Sequence, residues 1–191
     1  MQLSLLPILA SLGLISALSG CVTSQSTPYP NDWPTVAASS GSCDRLSGWY
    51  ANQAIGHSAE NSGMLSETKR LAFILEAPPQ KTSELGVEDV ELKLEDTHIF
   101  ALALVGGQPE PTSFAHLNDW KCNDGELTAD VKDWRTSEQD LVRRNRETIT
   151  LSAAVDGSLI VHVSGRNSGI AFFIPYSASG SFWSRYARSK R

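Results

Sequence analysis

The residue patterns that could do chemistry are few. Ser66-Glu67-Thr68-Lys69 has the Ser-x-x-Lys spacing in which a lysine one helical turn on can take the proton of a serine nucleophile, and Lys81-Thr82-Ser83 follows it. A serine nucleophile of this kind would need further partners. No Ser-Asp-Asn follows, and the chain is too short for the helical domain such enzymes place between these segments, so Ser66 reads as a helix cap beside a solvated lysine. There is no Gly-x-Ser-x-Gly turn and no phosphate loop. The four histidines, His57, His98, His116 and His162, lack the spacing of metal ligands, so no metal site, cofactor or catalytic set is expected. Three cysteines remain: Cys21, Cys43 and Cys122.

Cys21 takes its meaning from what precedes it. Residues 1–20 carry no charged side chain, and Leu3 to Leu18 is an apolar run that ends in Leu18-Ser19-Gly20-Cys21. The tetrapeptide resembles the lipobox of bacterial lipoproteins. The resemblance implies a signal peptide over 1–20, cleavage before Cys21, and lipid on its sulfur and new amino group. Pro7, Gly13 and several serines weaken the rival reading as a membrane-spanning helix. The usual Lys or Arg before the apolar run is missing, which leaves only the Met1 amine. Three acyl chains would hold the protein stably where one holds only marginally. Val22 in place of Asp implies outer rather than inner membrane in a Gram-negative host, with palmitate among the attached chains and the domain in the periplasm.

The remaining composition fits one exported globular domain. The chain has 191 residues, 41% of them hydrophobic and 19% charged, with a net charge of −5. These values exclude a disordered chain and a multi-span membrane protein, and the acidic balance argues against nucleic acid as partner. Residues 21–42, rich in Ser, Thr and Pro without a period, read as a flexible lipidated tether with a root-mean-square reach of about 25 Å. Residues 43–191 read as a single β-rich domain. In an oxidising compartment Cys43 and Cys122 are expected to pair, closing a loop of roughly 80 residues; two buried thiols are the alternative.

Period-2 runs dominate that domain. Strands are expected over Leu46–Asn52, around Val90–Leu94, over His98–Val105, on both sides of Asn123-Asp124-Gly125 and on both sides of Asp156-Gly157. Further strands are expected over 170–174 and Phe182–Arg188, with a loop over Ser164–Gly169. One short helix is expected at about 66–76, stopped by Pro78-Pro79, and a weaker one over Ser137–Arg144. The sum is a mainly β fold: an antiparallel meander of eight or nine strands curled into a barrel or curved half-barrel.

Beyond Asp156 there is no acidic residue, but there are Arg166, Arg185, Arg188, Lys190 and Arg191. Pairing with acidic strands upstream is one reading. Contact with a ligand or an anionic surface through Trp183, Arg185 and Arg188 is the other.

Four segments, Cys43-Asp44-Arg45-Leu46-Ser47-Gly48-Trp49-Tyr50-Ala51-Asn52, Trp120-Lys121-Cys122-Asn123-Asp124-Gly125-Glu126-Leu127, Ala154-Val155-Asp156-Gly157-Ser158-Leu159 and Trp183-Ser184-Arg185-Tyr186, resemble a recurring pattern of uncharacterised bacterial lipoproteins. The resemblance implies export and lipidation, supports the pairing of Cys43 with Cys122, and carries no activity. The function expected from sequence is a non-enzymatic binding or assembly module of the envelope, with an envelope protein or lipid as partner. A lipid or acyl-chain carrier with an apolar cavity is the alternative, and a periplasmic hydrolase comes third.

Overall fold

The computed structural model describes residues 21–38, 41–58, 69–75, 87–95, 98–105, 108–110, 120–138, 141–171 and 174–191. Among the described residues the chain is mainly β, with one short helix, and the strands form two sheets. In chain order the strands are β1 (Cys21–Gln25), β2 (Gly48–Ala51), β3 (Gly56–His57), β4 (Val87–Glu95), β5 (His98–Val105), β6 (Gln108–Glu110), β7 (Lys121–Asn123), β8 (Glu126–Glu138), β9 (Leu141–Ala153), β10 (Leu159–Ala171) and β11 (Ile174–Tyr186). A 3₁₀ turn, Asp44–Leu46, precedes β2, and helix α1 is Leu71–Leu75. The expected cap Ser66 lies outside the described residues.

The larger sheet runs β1-β11-β10-β9-β8-β7, with β3 also pairing with β11; the smaller runs β2-β4-β5-β6. The expected barrel is corrected by this arrangement. β2 pairs with β4 while β3, between them in sequence, crosses to β11 of the other sheet. β1 joins β11 in parallel and makes the larger sheet mixed. Among the described residues the strands are split between two sheets, and neither closes on itself.

The hairpin turns sit where their residue types require. Asp124 and Gly125 both have positive φ, 50° and 74°, as a two-residue turn between twisted strands demands. Gly157, at φ 83°, turns β9 into β10. Three expectations fail elsewhere in these strands. Ser164–Gly169 is the middle of β10, since its backbone is paired on one side with β9 and on the other with β11, and such pairing overrides low intrinsic strand preference. Of the helix expected over Ser137–Arg144, Ser137 and Glu138 lie in β8 and Leu141–Arg144 in β9, while 139–140 lie outside the described residues. Of the strand expected over 170–174, Ile170 and Ala171 end β10 and Ile174 begins β11, while 172–173 lie outside the described residues.

The core lies between the sheets. Leu127, Ile149, Leu151, Leu159, Val161, Phe182 and Tyr186 come from the larger sheet, Tyr50, Val90 and Leu92 from the smaller, and Leu71, Ile74 and Leu75 from α1. Asn52 ties the helix in: its Oδ1 accepts from Ala72 N at 2.8 Å, and its Nδ2 donates to Val87 O at 3.0 Å. The Tyr186 hydroxyl is buried without a hydrogen bond of normal geometry among the described residues, and burial pushes its pKa well up, against a smaller lowering by the Ser184 hydroxyl. Tyr186→Phe is therefore expected to leave stability unchanged or raise it by about 1 kcal/mol in a denaturant titration.

Residues 21–38, expected to be a free tether, are hydrogen-bonded to the domain. After β1, Thr27 O accepts from Trp183 Nε1 at 2.9 Å, and Tyr29 packs edge-on against Trp183 with centroids 5.1 Å apart. Trp33 lies against Gly56, where a Cβ would come within 2.6 Å of the indole. Val155 N donates to Thr35 O and Ala37 N to Ala153 O. The segment thus spans the back of the larger sheet as a clasp. The aromatic residues Tyr29 and Trp33 give it apolar area to bury that a Ser/Pro-rich linker would lack.

Candidate functional site

Cys43 and Cys122 are bonded, across a sequence separation of 79. The bond ties the turn at Asp44–Leu46 to β7, the edge strand of the larger sheet. Cys21 begins β1 and stands opposite Tyr176 of β11.

Trp183 and Arg185 point to the back of the sheet and are engaged there. His162 stacks on the Trp183 ring at 3.9 Å, while Tyr29 and Thr27 cover it. Burial lowers the pKa of His162, with Glu126 opposing the shift. Arg185 Nη2 meets Asp156 Oδ2 at 2.6 Å, and its Nε donates to Ser158 Oγ at 3.1 Å. The Ser158 hydroxyl above all holds the Asp156 carboxyl below the usual carboxylate range; burial opposes it, and the Ser158 amide and Arg185 add to the lowering. A depressed carboxylate contributes stability above its unfolded value of about 4 and loses it as pH falls through the folded value. Asp156→Asn is expected to flatten the fall in melting temperature below about pH 4, by less than about 1 kcal/mol because water screens this exposed pair. The C-terminal basic residues follow the same logic: Arg191 meets Asp89 at 3.0 Å and Glu88 at 3.7 Å.

Arg188 differs. Its Nη2 donates to Ser47 O at 2.8 Å and its guanidinium lies 5.9 Å from the centre of the Tyr50 ring, yet the residue is exposed. It lines a shallow groove of about 410 Å³ with Arg45, Ala37, Ala38, Ala153, Ala154, Val155 and Gly157. The floor is built where the clasp pairs with the end of β9 and with the β9–β10 turn. Gly48, at φ 147°, makes room for the arginine: a Cβ there would meet Arg188 Nη2 at 2.7 Å. Two guanidiniums at an alanine-lined groove, with Val155 exposed, suit a carboxylate carried on an otherwise apolar segment. Sequence reasoning found Arg188 but missed Arg45. Nothing in the Cys43-Asp44-Arg45 run marks it, because its partner in the groove is 143 positions away in the chain.

A serine–histidine contact is also present. His57 Nδ1 lies 2.7 Å from Ser184 Oγ across the β3–β11 pair. Ser184 is wholly buried, so its hydroxyl cannot reach a substrate. Among the described residues no group of three or more His, Cys, Asp or Glu is placed to hold a metal ion, and no helix is long and apolar enough to cross a membrane. No family model, curated protein or solved structure matches the chain.

Proposed function

We propose that the protein is an outer-membrane lipoprotein, anchored through Cys21 with its domain in the periplasm, and that this domain is a non-enzymatic binding module for an acidic segment of an envelope protein. One observation carries the reading: the residue proposed to hold the lipid and the arginine-lined groove stand at opposite ends of the same sheet. Cys21 is in register with Tyr176, near the β10–β11 turn, whereas Val155 and Gly157 lie at the β9–β10 turn beyond Leu159 and Tyr186. Ten residue steps of β11 separate Tyr176 from Tyr186. At about 3.3 Å per residue the groove stands about 35 Å from the anchored row. The clasp places Cys21 at the sheet itself rather than at the end of a free linker, which holds the groove at a defined height.

The carrier reading has less to stand on. Among the described residues the buried side chains of the two sheets form one hydrophobic cluster, and the groove is shallow. A hydrolase would need an exposed nucleophile beside its base, and Ser184 is not exposed.

Two experiments test the reading. Cys21→Ala should abolish incorporation of labelled palmitate and leave the chain at precursor mass; label that persists contradicts the anchor. A photoreactive side chain in place of Val155 should crosslink one envelope protein in cells, and Arg45→Glu should remove that crosslink. Arg45 is exposed and, among the described residues, makes a long hydrogen bond of 3.4 Å to Ala38 O, so its loss should leave the fold intact. A crosslink indifferent to Arg45→Glu contradicts the groove as the binding site.

A further inference from the structure

The end of the larger sheet next to Cys21 is graded in polarity, row by row. In the last row Ile174 pairs with Ala171, and Ala171 with Leu141; in the next Pro175 pairs with Ile170, and Ile170 with Val142. The third row holds Cys21, Tyr176, Gly169 and Arg143. The fourth holds Val22, Ser177, Ser168 and Arg144, and the sixth holds Arg166 and Arg146. Ile174 is 59% exposed, Ile170 49% and Val22 79%. Between Gly169 and Tyr176 the sequence reads Ile-Ala-Phe-Phe-Ile-Pro, without a charged or hydrogen-bonding side chain.

We infer that the β10–β11 hairpin is a membrane-docking tip, which seats in the same bilayer leaflet as the lipid on Cys21. Three observations select a bilayer over a protein partner. Ile174 and Ile170 occupy successive rows and so project from opposite faces of the ribbon. A protein groove would cover one face, whereas a bilayer surrounds both. Arg144, Arg146 and Arg166 are exposed and occupy alternate rows, the fourth and sixth, so they share one face just above the apolar rows, where anionic headgroups would lie. Finally, Ile174 lies two rows beyond Cys21, about 7 Å at the rise of a strand. That matches the depth of about 5–10 Å to which interfacial apolar groups enter a leaflet when the lipidated residue sits at headgroup level. At the β8–β9 end the last row of β8 holds a charged residue, Glu138.

The geometry of this inference rests on the anchor reading, and its test separates the two. The full chain is placed in vesicles of phosphatidylethanolamine and phosphatidylglycerol containing a diazirine-bearing phospholipid, irradiated, and the adducts mapped by mass spectrometry. Adducts are expected on the peptide spanning 169–176. The pair Ile170→Ser and Ile174→Ser should reduce them about tenfold while leaving those of the N-terminal residues. Replacing Arg144, Arg146 and Arg166 by Gln should reduce hairpin adducts by up to about fivefold per arginine, and only when phosphatidylglycerol is present. Adducts confined to the N-terminal residues overturn the docking tip and leave the anchor standing. Hairpin adducts that persist in Cys21→Ala, on a wild-type chain found without lipid, support the tip and overturn the anchor. Chain-to-chain crosslinks through the hairpin without lipid adducts overturn the tip in favour of a protein contact.

Discussion

Replacing Cys43 and Cys122 together by alanine is expected to lower the melting temperature by about 10 °C. The bond closes a loop whose ends are 79 residues apart, and in the chain-entropy view its loss returns up to about 4–5 kcal/mol of freedom to the unfolded chain. For a domain of this size each kcal/mol moves the midpoint by about 2–4 °C. Local anatomy adds to the effect. β7 is a three-residue edge strand, exposed throughout, with three paired positions on β8. Without the bond its remaining support is short, and the turn at Asp44–Leu46, which buries Leu46 completely, loses its tie to the larger sheet. Scanning calorimetry of the wild type with and without reductant, beside the double variant, checks this. A midpoint that moves by less than about 2 °C in both would show that the two sheets hold each other without the bond.

The second large effect is expected at Trp183. Trp183→Ala removes the ring on which His162 stacks and against which Tyr29 packs, together with the indole donor to Thr27. Full truncation of a buried Trp costs about 3–5 kcal/mol, and this ring is half-buried, so a loss of about 2 kcal/mol is expected. The effect should also be local. Residues 27–38 should become cleavable by protease while the disulfide-linked body resists, because the core face of β11, with Phe182 and Tyr186, is untouched. Tyr29→Ala should give the same cleavage pattern with a smaller loss of stability. Uniform loss of protease resistance along the chain would show instead that the clasp and the body unfold as one unit.

What was legible in the sequence had a local cause. Asn123-Asp124-Gly125 and Asp156-Gly157 announce turns because their backbone angles suit few other residues, and Leu71–Leu75 shows its buried face directly. The pairing of Cys43 with Cys122 was expected from their number and from the oxidising compartment that the N-terminal pattern implies. What was illegible depends on partners distant in sequence. The polar run Ser164–Gly169 becomes strand because β9 and β11 flank it, and β3 leaves its neighbours for β11 through a two-residue register at Ser184 and Arg185. The clasp was misread for the same reason. Its period is blank, and only Tyr29 and Trp33 hinted that the segment had a surface to cover. Of the residues singled out for an anionic ligand, Trp183 and Arg185 are engaged by the clasp and by Asp156. Arg188 reaches the groove, where it meets the unforeseen Arg45.

The central claim is that lipid on Cys21 fixes one end of this sheet to the membrane. The most direct test is the intact mass of the protein extracted from cell membranes. The account predicts a chain that starts at Cys21, carries a diacylglycerol and one further acyl group, and is lighter by two hydrogens for the Cys43–Cys122 bond. A mass that retains residues 1–20, or one that starts at Cys21 without lipid, would contradict it.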